Sequence, residues 1–213
     1  MNPIFKRNLF ILFALLSILL FIFLGIWQIQ RRDQKVRLIS EIESQMILPT
    51  INFDHRVKED NVFYRKYFFN GQFAKQNYYI YGSNFESQTN GYFAATPLLL
   101  EDGKSIMVIR GWSQYLDSTI YNDFEAFEGI IIRNGNNKYA PLPNLQKNIY
   151  YSFDLQQIPN NLNIERQYFA ISTQQALGLE KLNISRFTNI RNRHIEYIIT
   201  WFTLAFFTFI MSI

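Results

Sequence analysis

Residues 9–27 read LFILFALLSILLFIFLGIW and residues 197–213 read YIITWFTLAFFTFIMSI, and neither stretch contains Asp, Glu, Lys, Arg or His. An α-helix rises about 1.5 Å per residue, so both stretches nearly match the thickness of a bilayer's hydrocarbon core. Ile195 and Glu196 extend the second stretch to a full span. The sequence therefore predicts two transmembrane helices, over residues 9–27 and 195–213.

The first apolar stretch begins after Lys6 and Arg7, and a basic start is also typical of a secretory signal peptide. The stretch is longer than the apolar region of an ordinary signal peptide, and no small-x-small cleavage site follows it, which favours an uncleaved anchor. The eight residues before it are too few for a mitochondrial transit peptide. We therefore expect a two-pass protein of a bacterial inner membrane.

The chain between the two stretches divides near Pro49. Residues 28–48 place apolar side chains at three- and four-residue spacing among charges, which predicts a juxtamembrane amphipathic helix. Residues 49–190 contain aromatic and β-branched stretches that Gly, Asn and Pro separate, which predicts a β-rich extramembrane domain. The expected fold is membrane α+β, with two transmembrane helices flanking an antiparallel sheet or small barrel.

Charge and composition exclude several classes of function. Residues 38–185 carry twelve Lys and Arg against fifteen Asp and Glu, so this region has no basic surface for nucleic acid. The absence of cysteine excludes disulfide bonds, zinc–thiolate sites and iron–sulfur clusters, and the two histidines, His55 and His194, make a multi-histidine metal site unfavourable. No familiar catalytic motif is present, so we expect a protein that is not an enzyme and has no catalytic residues.

Five short motifs occur in order along the chain, two beside the apolar stretches and three in the β-rich region. They are Gly25-Ile-Trp27-Gln28 with Arg31 and Lys35, the stretch from Tyr64 through Gly71 to Phe73, the stretch from Gly91 to Pro97, Val108-Ile-Arg110-Gly111-Trp112, and Arg191 through His194, Tyr197 and Trp201 to Phe202. Together these motifs resemble the surfeit locus protein 1 family of cytochrome c oxidase assembly factors. Two departures, at Gln114 and at Tyr150-Tyr151, affect local loop geometry.

The resemblance implies a function in the respiratory chain. It implies a non-enzymatic chaperone that binds haem a transiently and assists its insertion into subunit I of an aa3-type cytochrome c oxidase. The expected partners are membrane lipid and subunit I, and the haem a synthase is a further candidate. An alternative of a different class is a haem-free membrane scaffold that stabilises an oxidase assembly intermediate.

His194 is the sharpest candidate for chemistry, because it stands at the start of the second apolar stretch with Tyr197 and Trp201 at i+3 and i+7. A neutral imidazole can ligate haem iron, and a flat aromatic side chain can pack against a porphyrin. The same three residues also fit an aromatic belt at the membrane surface, and the residues alone leave both interpretations open. The resemblance implies that His194 is the haem-iron ligand.

On the first helix, Trp27, Gln28 and Arg31 lie near the same membrane face. A guanidinium suits a haem propionate, and Trp27 could line the cofactor. The alternative is that Trp27 is a belt residue and Arg31 contacts lipid phosphate. We expect Arg110 to be structural, Trp112 to lie in the core, and His55 to be a solvated surface residue.

The charges beside the apolar stretches oppose the orientation that the family implies. Arg31, Arg32, Lys35 and Arg37 outnumber the two basic residues before the first stretch, so positive-inside counting places the large domain in the cytoplasm. The resemblance implies a periplasmic domain. We follow the resemblance, because the rule works best for segments shorter than about 60 residues.

Overall fold

The computed structural model describes residues 3–54, 62–84, 88–116, 126–135, 137–159 and 163–212. The chain forms two compact units. The helical unit comprises Met1–Glu41 and Asn189–Ile213, and the sheet unit comprises Ile42–Thr188.

Both apolar stretches are helical, as the sequence predicts. Helix α1 runs without interruption over Pro3–Met46, so the apolar segment and the charged segment after it form one helix of 44 residues. It continues because residues 28–46 contain neither Pro nor Gly and are rich in good helix formers, and Pro49 follows its end. The last helix, α3, runs over His194–Ser212.

The apolar surfaces of these two helices are mostly uncovered. In their most apolar segments only 11% of α1 and 6% of α3 is buried, whereas a core helix of a soluble protein is mostly buried. The hydroxyl groups of Ser17, Thr200 and Thr208 donate to backbone carbonyls one turn earlier in their own helices, so they need no water. Both helices are therefore candidate membrane spans by length and composition.

The sheet unit is built on a sheet that has nine strands within the described ranges. A one-turn 3₁₀ helix, Leu155–Gln157, precedes the last strand, and a short helix, α2, covers Ser185–Thr188. Asp154 caps the 3₁₀ helix, as its position predicts, because its carboxylate accepts from the Gln156 backbone N–H. The strands are β1 Ile51–Asn52, β2 Lys66–Asn70, β3 Gln72–Phe73, β4 Tyr78–Asn84, β5 Thr89–Leu99, β6 Ser105–Ser113, β7 Ala126–Arg133, β8 Ile149–Tyr150 and β9 Ile164–Ser172.

The sheet is mixed, which corrects the expectation of a purely antiparallel sheet. Its strand order is β1-β2-β7-β9-β6-β5-β4-β8, with β3 beside β5, so the described ladder has two ends and is not a closed barrel. Pairs β1–β2, β4–β8 and β6–β9 are parallel. The parallel pairs arise because long connections return the chain in the same direction, and strand periodicity carries no information about that direction.

Strand β6 is the centre of the sheet. It is buried from Ser105 to Trp112, because apolar clusters cover both faces of the sheet. Met107 and Ile109 join the cluster on one face, whereas Ile106 and Val108 join the cluster on the other. A strand buried on both faces explains why this stretch reads as a continuous apolar run.

The predicted structural role of the motif at the end of β6 is confirmed for Trp112, which is 2% exposed and donates through Nε1 to the Gly82 carbonyl oxygen at 3.1 Å. Arg110 is fully buried, with its guanidinium 4.4 Å from the Phe73 ring centroid. The register between β5 and β6 shifts at this point, so Arg110 and Gly111 form a bulge. None of these residues offers a recognition surface.

A cationic side chain fixes the end of the sheet unit. The Arg186 guanidinium lies 4.3 Å from the Phe93 ring centroid and donates to the Ser83 carbonyl oxygen. Burial lowers the pKa of Arg186. This contact ties α2 to the β4–β5 hairpin.

Candidate functional site

The helical unit is packed along one regular seam. The less exposed positions recur at alternating three- and four-residue spacing on both helices, whereas their neighbours are largely exposed. This spacing is the pattern of a two-helix coiled coil. The seam residues are Ala14, Ile18, Phe21, Gly25, Gln28, Arg32 and Lys35 on α1, and His194, Ile198, Trp201, Ala205, Thr208 and Ser212 on α3.

The two helices run antiparallel. Phe21 stacks on Trp201 with centroids 6.0 Å apart, and seven residues further along α1 Gln28 reaches His194, seven residues earlier on α3. Gly25 permits close packing, since a Cβ at that position would lie 2.8 Å from the Phe202 ring. Gly25 therefore lies in the contact between the two helices, and the ring that approaches it belongs to α3.

His194 and Gln28 form the one side-chain hydrogen bond between α1 and α3 among the residues that the structure describes. Imidazole Nδ1 and the amide Oε1 are 2.7 Å apart, and Gln28 is buried at 9% exposure. Two turns further along α1, Lys35 Nζ donates to the Arg191 carbonyl oxygen at 2.9 Å. These contacts hold the imidazole at the end of the apolar seam.

Arg31, Tyr197 and Trp27 border this hydrogen bond. Arg31 comes directly before the seam residue Arg32, and Tyr197 comes directly before the seam residue Ile198. In an antiparallel helix pair, residues at these two positions lie on the same side of the seam. The Arg31 guanidinium is 5.6 Å from the Trp27 ring centroid and donates to Gln34 Oε1. Trp27 is 41% exposed and Tyr197 is 54% exposed, so both rings remain accessible.

The charge around the site is basic. Asp33 lies 3.9 Å from Arg32, whereas no carboxylate lies within 4 Å of Arg31 among the residues that the structure describes. The Arg31 guanidinium therefore lies beside an accessible aromatic ring, and a guanidinium suits an anionic group such as a carboxylate.

Trp201 takes a different position from the other candidate aromatic residues. It lies in the seam, two turns from His194, and its face packs on Phe21. Its indole Nε1 is buried and has no hydrogen-bond partner among the described residues, and the same holds for Asn192 Oδ1. Two unpaired polar atoms therefore flank His194 in the chain, and such atoms are unusual without a ligand or water.

The structure thus brings together some of the predicted site residues and separates others. His194, Arg31, Tyr197 and Trp27 lie at one end of the helix pair, whereas Trp201 lies deeper. Gln28 was not among the site residues predicted from the sequence. An amide at a seam position in an otherwise apolar helix was the signal that could have identified it. His55 lies outside the described residues.

This arrangement has a limited chemistry. No group of three or more His, Cys, Asp or Glu side chains that could hold a metal ion occurs within the described ranges. A single imidazole is therefore unsuited to a bare metal ion. It suits a metalloporphyrin, which brings its own equatorial ligands and needs one axial nitrogen, accessible aromatic surface and a cation for its carboxylates.

The sequence model of the SURF1 family matches residues 15–206 of the chain. The chain belongs to the SURF1 family. The matched region includes the seam residues from Ile18 to Lys35 on α1 and from His194 to Ala205 on α3. It therefore includes Gln28 and His194. The SURF1 family is known for cytochrome oxidase assembly factors.

Relatives in this family come from bacteria and from eukaryotes. A SURF1-like protein of Rickettsia prowazekii is 29% identical over 203 residues, which cover 89% of this chain and 82% of the relative. A SURF1-like protein of Dictyostelium discoideum is 24% identical over 234 residues, covering 85% and 87%. Human Surfeit locus protein 1 is 24% identical over 207 residues, covering 85% and 69%. The SURF1 resemblance predicted from the five motifs is confirmed.

Proposed function

We propose that this protein is a membrane-anchored assembly factor for an aa3-type cytochrome c oxidase, and that it binds haem a and assists its insertion into subunit I. The observation that carries the haem assignment is His194. Gln28 holds its imidazole beside accessible aromatic rings and beside Arg31, which has no carboxylate partner among the described residues. Family membership supports the assembly role.

In this proposal each residue of the site has a separate task. His194 supplies the axial nitrogen to haem iron, and Arg31 pairs with a propionate. Trp27 and Tyr197 offer apolar surface to the macrocycle. Trp201 lies deeper in the helix pair, and its buried indole Nε1 is a donor that has no partner among the described residues.

Transient binding follows from the number of ligands. One imidazole in an open, lipid-facing site holds haem less firmly than two axial ligands in an enclosed pocket. Haem a can therefore pass to an acceptor that ligates it more completely, and subunit I is the proposed acceptor. The haem a synthase is the proposed donor.

We further propose that both helices span the bacterial inner membrane and that the sheet unit lies in the periplasm. The uncovered apolar surfaces of α1 and α3 and their antiparallel packing support two spans. One span would separate the sheet unit from each end of the chain, so the sheet unit and the two ends would lie on opposite sides of the membrane. The periplasmic side for the sheet unit follows the family resemblance rather than the local charge count.

The second candidate function is a haem-free scaffold that stabilises an oxidase assembly intermediate. The exposure of Trp27 and Tyr197 at the ends of the apolar segments favours it, because exposed Trp and Tyr also form an aromatic belt at the lipid surface. The two functions differ in whether purified protein carries haem.

Deletion of the gene tests the assembly role itself. We expect oxidase turnover per subunit I to fall several-fold while haem a extracted from membranes falls much less, because the chain has no motif for building a porphyrin. Wild-type protein supplied in trans should restore turnover, and an unrelated two-span protein should not. Full oxidase activity in the deletion strain would remove the assembly role.

A further inference from the structure

The contact between Gln28 and His194 fixes which imidazole nitrogen is available. A neutral imidazole carries its proton on one ring nitrogen and a lone pair on the other. The structure directs the Gln28 amide oxygen, which can only accept, at His194 Nδ1 from 2.7 Å. With the amide oriented in this way, the bond requires a proton on Nδ1.

We propose that Gln28 is a positioning residue, which holds His194 in the Nδ1–H tautomer and leaves the Nε2 lone pair as the iron-binding atom. The tautomer assignment rests on the orientation of the Gln28 amide, and the ligand assignment rests on the proposed haem function. Metal-binding histidines commonly donate their second ring N–H to a carbonyl or carboxylate oxygen, which orients the ring. Gln28 supplies that oxygen from the opposite helix.

The surroundings of Gln28 strengthen this assignment. The side chain is buried at 9% exposure at the end of an apolar seam, so water competes weakly for its oxygen. The next seam contacts toward the membrane are Gly25 with Phe202 and Phe21 with Trp201, which are apolar. The neighbouring contact on the other side, from Lys35, goes to a backbone carbonyl and leaves the imidazole unaffected.

A purely structural interpretation predicts something different. If the hydrogen bond only fastened the two helices, either tautomer would serve, with the amide turned so that its NH₂ group donates to Nδ1. The tautomer of His194 therefore separates a positioning role from simple helix pairing.

Nitrogen NMR on the full-length protein without haem tests the tautomer. The chain has two histidines, so ¹⁵N-histidine labelling gives two rings, and His55→Ala assigns them. The spectra are recorded at alkaline pH, in the range where the ring nitrogen shifts no longer change with pH. We expect Nδ1–H for His194 in wild type and in Gln28→Glu, which keeps an oxygen acceptor, and a shift toward Nε2–H in Gln28→Leu.

Haem a titration of the same proteins tests the ligand assignment. Loss of an outer partner typically weakens metal binding about 10- to 100-fold, so Gln28→Leu should weaken haem a binding by that factor and Gln28→Glu should restore most of it. An Nε2–H tautomer in wild type, or an identical tautomer in wild type and Gln28→Leu, would overturn the positioning role. If His194→Ala binds haem a as wild type does, the haem function fails and the NMR result alone decides the tautomer.

Discussion

Replacement of Gly91 by alanine should destabilise the sheet unit severely although the new group is only a methyl. A Cβ at Gly91 would lie 2.4 Å from the Ser113 carbonyl oxygen and 2.4 Å from Trp112 Cζ2, whereas ordinary contacts begin near 3.4 Å. The new methyl group would therefore overlap each of these two atoms by about 1 Å, and one of them, the Ser113 carbonyl oxygen, belongs to the backbone. Strand β6 cannot move away freely, because both of its faces are buried.

The expected cost has two contributions. Overpacking a close-packed interior costs about 1–3 kcal/mol. Displacing Trp112 also weakens its hydrogen bond to the Gly82 carbonyl, which is worth about 1 kcal/mol. The total of about 2–4 kcal/mol corresponds to a Tm decrease of roughly 4–16 °C for a domain of this size.

Thermal unfolding of the full-length protein in mild detergent, followed by near-ultraviolet circular dichroism, measures this decrease. The matched control is Gly103→Asn, since a Cβ at Gly103 meets no atom within 4 Å and Asn tolerates its φ of +82°. The control should unfold within a few degrees of wild type. Equal Tm values for Gly91→Ala and the control would refute the close-packing argument.

Three further predictions concern charge and orientation. Burial, and then the charge of Glu165, raises the pKa of Tyr168. The unfolded chain therefore ionises first, and the free energy of unfolding should fall as the pH rises above about 10. Tyr168→Phe should reduce this fall in a pH series of urea midpoints, and an unchanged fall would contradict the prediction. Arg186→Lys keeps the charge but loses planar stacking on Phe93, so urea unfolding should show a loss of about 1–2 kcal/mol, whereas unchanged stability would show that the guanidinium plane is unimportant. Alkaline phosphatase fused after Asn137 should be active and green fluorescent protein fused there should be dark, and the reverse pair of results would place the sheet unit in the cytoplasm.

The helices and strands were largely predictable because their signals are local. Apolar stretches of span length became helices, and alternating or continuous β-branched stretches became strands such as β5 and β6. The directions of β8 and β9 were not predictable, because a strand's side-chain pattern is the same whether its neighbour is parallel or antiparallel. The long connections before these strands decide the direction.

The candidate site was predictable in its residues and not in its contacts. Periodicity placed His194, Tyr197 and Trp201 on one broad face, but it could not tell that Ile198 rather than Tyr197 lies in the seam. Gln28 pairs with a residue 166 positions away. Such a partner depends on the register of the two helices, and that register is set by the packing of Gly25 and Phe21, which no local pattern encodes.

The central claim is that His194 binds haem a. The direct measurement is the Soret absorbance per mole of full-length protein purified from a haem-a-producing host, for wild type, His194→Ala and His55→Ala. The account predicts that His194→Ala loses most of the haem while the sheet unit keeps its fold, because His194 belongs to the helical unit, and that His55→Ala retains the haem. Equal haem content in wild type and His194→Ala would contradict the claim and favour the haem-free scaffold.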